Sequence, residues 1–465
     1  MPKPLTRRTP PAPVGIVHLG LGAFFRAHGA IYIAEAMAAK GGNWGILGAS
    51  LQTPRLHDDL APQGFAYTAL QAGPDGDIVQ SIEIISDILV ARNDPAALLQ
   101  AMSDPAIKIV SLTVTEKGYC HNPADGSLNL SDPTIQHDLT NPLPQSAPGF
   151  LVRALQARHA GGHRPFTTLS CDNLPCNGTL TRNVVLSLAR EIDPALADWI
   201  AAEARFPASM VDRIVPATKP EDLARVTKAT GCQDASPVIH EPFRQWVVED
   251  DFVDNQRPDL AAAGVQLVRD VAPFELMKLR MLNGTHSSLA YLGYLADYET
   301  ISDTVADPVF TRYTRHLWTH EIIPTLTPPE NTDLAAYAEQ LLTRYQNPAI
   351  RHRTWQIAMD GSQKLPQRIL NTLAHGHKPG LTLAVAAWIK YVSGTDLNGQ
   401  AIDVRDPLAA DLRAAHTTPD PVATILADRR IFSAEIATRI RPQVTQAYQT
   451  LSKGARAAIL EMLND

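Results

Sequence analysis

A chain of 465 residues, 45% of them hydrophobic, is long enough to build two or three well-cored domains. A formal charge of −7 without any Lys/Arg-rich block speaks against a nucleic-acid surface, and no apolar run approaches the eighteen or so residues of a membrane span. The basic N-terminus MPKPLTRRTPPAP has no apolar run behind it of the kind a signal peptide carries. Four scattered cysteines, Cys120, Cys171, Cys176 and Cys232, suit neither a disulfide framework nor a zinc site, so a cytoplasmic protein with reduced thiols and no metal is expected.

Residues 14–19 (VGIVHL) read as a short buried strand, followed by Gly20-Leu-Gly22-Ala23-Phe24-Phe25-Arg26 and a helical pattern through Met37. Strand, glycine turn and helix make the first unit of a dinucleotide-binding fold. Gly20 permits the tight turn, Gly22 lets backbone approach a pyrophosphate, and the helix N-terminus faces its charge. Phe25 stands where the fingerprint has a third glycine or an alanine. A second strand, residues 44–49, runs into Ser50-Leu-Gln-Thr-Pro-Arg55 without the acid that NAD enzymes often offer to the ribose. Arg55 either meets a 2′-phosphate or is a plain surface arginine, so NAD and NADP both stay open.

Residues 77–85 read as strand and 95–102 as helix. Residues 107–115 (IKIVSLTVT) form a β-branched run of the kind buried in a parallel sheet, and they end at Glu116, where ligands of open α/β sheets bind. Helix 149–160 and strand 166–170 follow. Next comes Cys171-Asp172-Asn173, with Asn177 suited to cap the helix 180–192. Asp212 and Arg213 interrupt an apolar strand, which requires that both have partners. Residues 238–253 read as sheet. The domain boundary is expected near Asp270, giving domains 1–270 and 271–465. Helical periodicity then dominates, with long helices expected over 334–346, 381–392 and 442–463.

The first of these helical stretches, residues 273–294 (PFELMKLRMLNGTHSSLAYLGY), spaces Lys278, Asn283 and His286 by five and three. At roughly 100° per residue the three fall within about 140° of one α-helical face. Such a set can handle a carbonyl or alcohol oxygen. Lysine moves the proton, asparagine donates to the developing alkoxide, and histidine holds a neighbouring hydroxyl. An amphipathic helix with solvated polar residues is the alternative.

The stretches GIVHLGLGAFFRAH, SLTVTEKGYC, SCDN, MVDRIVPAT, HEPFRQWVVED, PFELMKLRMLNGTHSSLAYLGYL and RHRTWQIAMDGSQKLPQR span nearly the whole chain. In these the chain resembles the zinc-independent long-chain polyol dehydrogenases, the mannitol dehydrogenase family. The resemblance implies a Rossmann-type α/β N-terminal domain and a mostly α-helical C-terminal domain. It implies metal-free hydride transfer with NAD. It implies catalytic Lys278, Asn173, Asn283 and His286, a substrate-binding Asp212, and cofactor contacts at Gly20, Gly22, Ala23, Phe24, Arg26 and Glu116. It leans towards the branch that reduces D-fructuronate to D-mannonate, with mannitol or another polyol as the alternative substrate. Relatives commonly carry histidine where Phe25 stands. For a uronate carboxylate the basic cluster Arg351, Arg353, Lys364 and Arg368 is the candidate clamp, or else a solvated helix end. A nucleotide-binding regulatory protein without turnover keeps the same fold and stands as the alternative of another class.

Overall fold

The structure, a computed structural model, describes residues 2–123 and 125–464. The chain divides into two compact units, Met1–Ala272 and Pro273–Asp465. In the first, β1 (Val14–Leu19), β2 (Gly45–Ser50), β3 (Ile85–Val90), β4 (Ile109–Leu112) and β5 (Thr167–Ser170) make a parallel sheet in the order β3-β2-β1-β4-β5. The order reverses between β1 and β4. In such sheets ligands bind outside the carboxyl ends of the strands at that point.

Both faces of the sheet are covered, which is why its strands read as continuous apolar runs rather than alternating ones. Val17, Leu19, Leu47, Val110 and Leu112 share a core with helices Pro95–Ser103, Ala147–Ala160 and Asn177–Ile192. Ile16, Ile46, Ile109 and Leu169 point the other way, into a core shared with helix Gly29–Lys40 and with Trp246. The strand expected over 77–85 is Gly76–Ile82, and β3, which begins at Ile85, was not expected. Gly76–Ile82 pairs antiparallel with Tyr67–Gly73 in a small sheet, and the chain then turns at Glu83-Ile84 to lay β3 against β2. A second small sheet pairs Gln245–Glu249 with Ser209–Asp212 and Gln266–Val268.

The second unit is helical. Among its described residues the only β pairings are the isolated bridges Thr300–Arg353 and Thr395–Ala401. The long final helix expected over 442–463 is two: Ala434–Thr450, which carries Pro442 inside it, and Ala455–Asn464. Residues 273–294 are not one α-helix either. Helix Ala272–Met277 passes into a π-helix, Lys278–Gly284, and then into helix Thr285–Leu295. Two more π segments follow, Leu317–Ile322 and Pro366–Leu370. The last begins at Pro366, which has no N–H to give the i−4 carbonyl and so favours a shifted ladder. No helix among the described residues is long and apolar enough to cross a membrane.

Candidate active site

In the first unit the glycine turn after β1 is tight. Gly20 has φ +84°, and a Cβ there would stand 2.4 Å from the carbonyl oxygen of Thr113. Glycine is required on both counts. At Gly22 a Cβ would meet nothing nearer than the Gly20 oxygen at 3.8 Å, so the backbone is open on the side a pyrophosphate would approach. Phe25 turns away from that opening. It is buried, stacks on His18 with ring centroids 3.4 Å apart, and lies over Gly29, where a Cβ would be 2.5 Å from its ring. Close helix–strand packing, the usual task of the third glycine, is here done by an aromatic on a histidine.

Ala23 and Phe24 are half-buried at the start of the helix, with Phe24 stacked against His28. Arg26 is buried, donates to the Ser236 carbonyl and lies 5.2 Å from the Tyr67 ring centroid. Together with Arg55 and Lys219 it lines a cavity of about 370 Å³ that Asp59 also borders. A second cavity, about 530 Å³, opens beyond β2 and β3 against Leu51, Gln52, Arg92 and Phe150, where the adenosine end of a dinucleotide would fit.

The loops after β4 and β5 are tied together. Buried Asp172 accepts from the Val114 and Thr115 N–H groups, both at 3.0 Å, and from the Tyr119 hydroxyl at 2.7 Å. Burial raises its pKa against the pull of those bonds. Asn173 and Glu116 are exposed beside this knot. Asn177 is not a cap, as the sequence suggested. Its amide donates to the carbonyls of Asp172 and Ser209 and accepts from the Ser209 N–H. It thereby fixes the Asn173 loop to the strand that ends in Asp212, which is 4% exposed. Arg213, its neighbour, donates to the backbone oxygens of Ala27 and Glu241, as the expectation of partners required.

In the second unit the Lys278–Asn283–His286 stretch is not solvated. Lys278 and His286 are each 7% exposed, and Asn283 is half-buried. The π turn changes its geometry. Residues five apart stand about 140° apart on an α-helix, but an i→i+5 turn stacks them, so Lys278 and Asn283 face the same way. Its carbonyls find donors elsewhere: the Trp318 indole on Met281 O at 3.0 Å and the Tyr345 hydroxyl on Leu282 O at 2.9 Å. Gly284 lets the π segment Pro366–Leu370 approach. A Cβ on it would stand 2.6 Å from Arg368 O. That contact carries Arg368 to Ser287, whose hydroxyl it reaches at 3.1 Å.

Positive charge collects around His286. Burial, then His352, Arg368, Arg344 and Lys364, hold its pKa well below the usual histidine range. Lys364 donates to Met359 O at 2.6 Å and lies 3.7 Å from Asp360, and burial followed by Arg368 lowers its pKa. The other two arginines of the expected clamp are elsewhere. Arg351 and Arg353 are exposed and paired with Glu299 at 3.1 and 3.4 Å. Between them, His352 turns inward and meets the His286 ring edge-on at 4.6 Å. Sequence reasoning passed over this histidine and Arg344, although RHRTW put His352 between two residues it had chosen. Among the described residues no three His, Cys, Asp or Glu side chains gather to hold a metal ion.

Family profiles match both units. The mannitol dehydrogenase Rossmann domain covers residues 14–262, and the mannitol dehydrogenase C-terminal domain covers residues 270–452. The chain belongs to the mannitol dehydrogenase family. It is 46% identical to the D-mannonate oxidoreductase of Escherichia coli (strain K12) over 96% of this chain and 94% of that protein. A mannitol 2-dehydrogenase of Phaeosphaeria nodorum is 38% identical over 96% of this chain and 81% of that one. The solved ternary complex of Pseudomonas fluorescens mannitol 2-dehydrogenase with NAD and D-mannitol superposes with a TM-score of 0.87. It is 37% identical, covering 98% of this chain and 95% of that one.

Proposed function

We propose that this chain is an NAD-dependent, metal-independent oxidoreductase that reduces D-fructuronate to D-mannonate, reversibly, in hexuronate breakdown. The observation that carries this reading is the positive charge of Lys364 and Arg368 beside His286, in a chain 46% identical to a D-mannonate oxidoreductase. A uronate carboxylate supplies a counter-charge there; a hydroxymethyl group does not.

The open backbone at Gly22 and the cavity beyond β2 suit a dinucleotide. Bound NADH supplies the hydride. Lys278 gives its proton to the carbonyl oxygen in reduction and takes it back in oxidation. The amides of Asn173 and Asn283 donate to the developing oxyanion, each worth about 3 kcal/mol when preorganised. His286 and Asp212 hold substrate hydroxyls, and Lys364 with Arg368 holds the carboxylate.

A polyol 2-dehydrogenase is the second reading, favoured by the 37% identity to the Pseudomonas fluorescens enzyme. Substrate charge separates the two. A charge-assisted hydrogen bond of about 1.5–3 kcal/mol, lost with a neutral substrate that also strands the cations, predicts at least about a hundredfold preference in kcat/KM for fructuronate over fructose. Lys364→Met should collapse that ratio while leaving fructose reduction nearly intact. A wild-type ratio near one moves the chain to the polyol enzymes, and an unchanged ratio in the mutant moves the clamp to Arg368. No oxidation of NADH or NADPH with either sugar favours a nucleotide-binding protein without turnover.

A further inference from the structure

We propose that His352 is a second substrate-binding histidine, paired with His286 to read the hydroxyl groups next to the carboxylate of an open-chain sugar acid, a step that rests on the substrate-binding role given to His286 above. The two rings meet edge-on at 4.6 Å with an interplanar angle of 80°. Each has a buried ring nitrogen without a hydrogen-bond partner among the described residues: Nε2 of His286 and Nδ1 of His352. Buried polar atoms are normally satisfied, so two open ones on touching rings, beside Lys364 and Arg368, mark a place a polar ligand completes.

Backbone bonds hold this histidine in place. The His352 N–H donates to Ile350 O at 2.9 Å, its carbonyl accepts from Ile301 N at 3.0 Å, and the Thr300–Arg353 bridge pins the next residue. Arg351 and Arg353 reach outward to Glu299, and His352 faces His286. Tyr345 also stacks on His286, with ring centroids 5.1 Å apart.

The chemistry divides the substrate between two kinds of group. Burial, with Lys364 and Arg368 nearby, pushes the His352 pKa down to about 4, and His286 is lowered for the same reasons. Both are neutral near pH 7. A neutral imidazole offers one donor and one acceptor, which matches a hydroxyl, while a carboxylate accepts only. The cations take the carboxylate and the imidazoles take the hydroxyls beside it. These hydroxyls are shared by fructuronate and fructose, so the histidine pair sets affinity for both, unlike Lys364.

The test compares His352→Phe, which keeps a ring and removes both nitrogens, with His352→Gln, which keeps a donor and an acceptor. His352→Phe is expected to raise the KM for fructuronate about ten- to a hundredfold, change kcat by less than about fivefold, and leave NADH affinity and the thermal midpoint unchanged; Gln recovers much of the loss. An unchanged KM in His352→Phe overturns the proposal. So does a fall in kcat with a lowered thermal midpoint that Gln repairs no better than Phe, because that is the signature of packing alone. If the wild type prefers fructose, the carboxylate assignment fails by itself, and the same KM comparison on fructose still decides the role of His352.

Discussion

Lys278 sits at 7% exposure on a stretch whose neighbours His286, Ser287 and Ser288 are buried too. An ammonium is kept in so dry a place only at a cost that partners or function must offset. If it moves the proton, Lys278→Ala lowers kcat for fructuronate reduction by at least about a thousandfold. NADH binding, measured by fluorescence titration, should survive, because Gly20 and Gly22 belong to the other unit. Near wild-type turnover in the variant would remove lysine from the chemistry. At this scale the sequence was a partial guide. The spacing of Lys278, Asn283 and His286 marked a stretch that proved buried, and the resemblance supplied Asn173 and Asp212. His352 stayed hidden because inward and outward positions of an irregular segment look alike without a periodic pattern. Arg351 and Arg353 looked equivalent to Arg368 for the same reason, and only their pairing with Glu299 separates them. Asn177 was misjudged because a turn asparagine before a helix is ordinarily a cap, and nothing local announced that Ser209 would lie against it.

Four strands of the parallel sheet were legible because burial on both faces writes itself as short β-branched runs, and β1 was located to the residue; β3 was missed, since the expected strand stopped at residue 85, where β3 begins. The hairpin Tyr67–Gly73/Gly76–Ile82 was missed, although Gly73-Pro-Asp-Gly76 between alternating runs is a turn signal. The π segments could not be read at all. A shifted hydrogen-bond ladder leaves the apolar pattern almost unchanged, and only contacts distant in sequence, such as Trp318 on Met281 O, show where the carbonyls went. The crossing of two of these segments at Gly284 is a testable joint. In Gly284→Ala the new methyl would stand 2.6 Å from Arg368 O, a backbone atom that cannot rotate away. Overpacking of this kind costs about 1–3 kcal/mol, and here it also pushes Arg368 from Ser287. Chemical denaturation should show that loss, and the KM for fructuronate should rise more than the KM for fructose. A variant as stable as wild type with both KM values unchanged would mean that the two segments are not tied through this glycine.

Across the whole molecule, both units bury histidines in a neutral state, which sets how the protein answers acid. His18, held by Ser111 and Thr113 at 2.8 Å each, is pushed down to about 3 by burial; so is His240, by burial and Arg213. His352 falls to about 4 and His286 well below its usual value. The unfolded chain protonates each near pH 6.5, before the folded chain does. A depressed folded pKa contributes stability that is complete above about pH 6.5 and is lost as pH falls towards the folded value. By pH 5 each of His18, His240 and His352 removes about 2 kcal/mol, hence about 4 kcal/mol from the first unit, a large share of an ordinary domain's stability of about 5–15 kcal/mol, and His286 adds a loss of the same sign to that of His352 in the second. Asp172, whose pKa is raised, works in the opposite direction, one carboxylate against five imidazoles, since burial lowers His416 as well. Carboxylates lowered by their partners, Asp307 and Asp428 among them, add their losses only at lower pH. Thermal denaturation should therefore show Tm falling by about 10 °C between pH 7.5 and pH 5.0, the slope starting near pH 6.5 rather than in the carboxylate range. His352→Phe should flatten part of that slope, since phenylalanine has no proton to bind in either state. A Tm constant from pH 7.5 to 5.0 would mean that these histidines take up their protons without unfolding either unit.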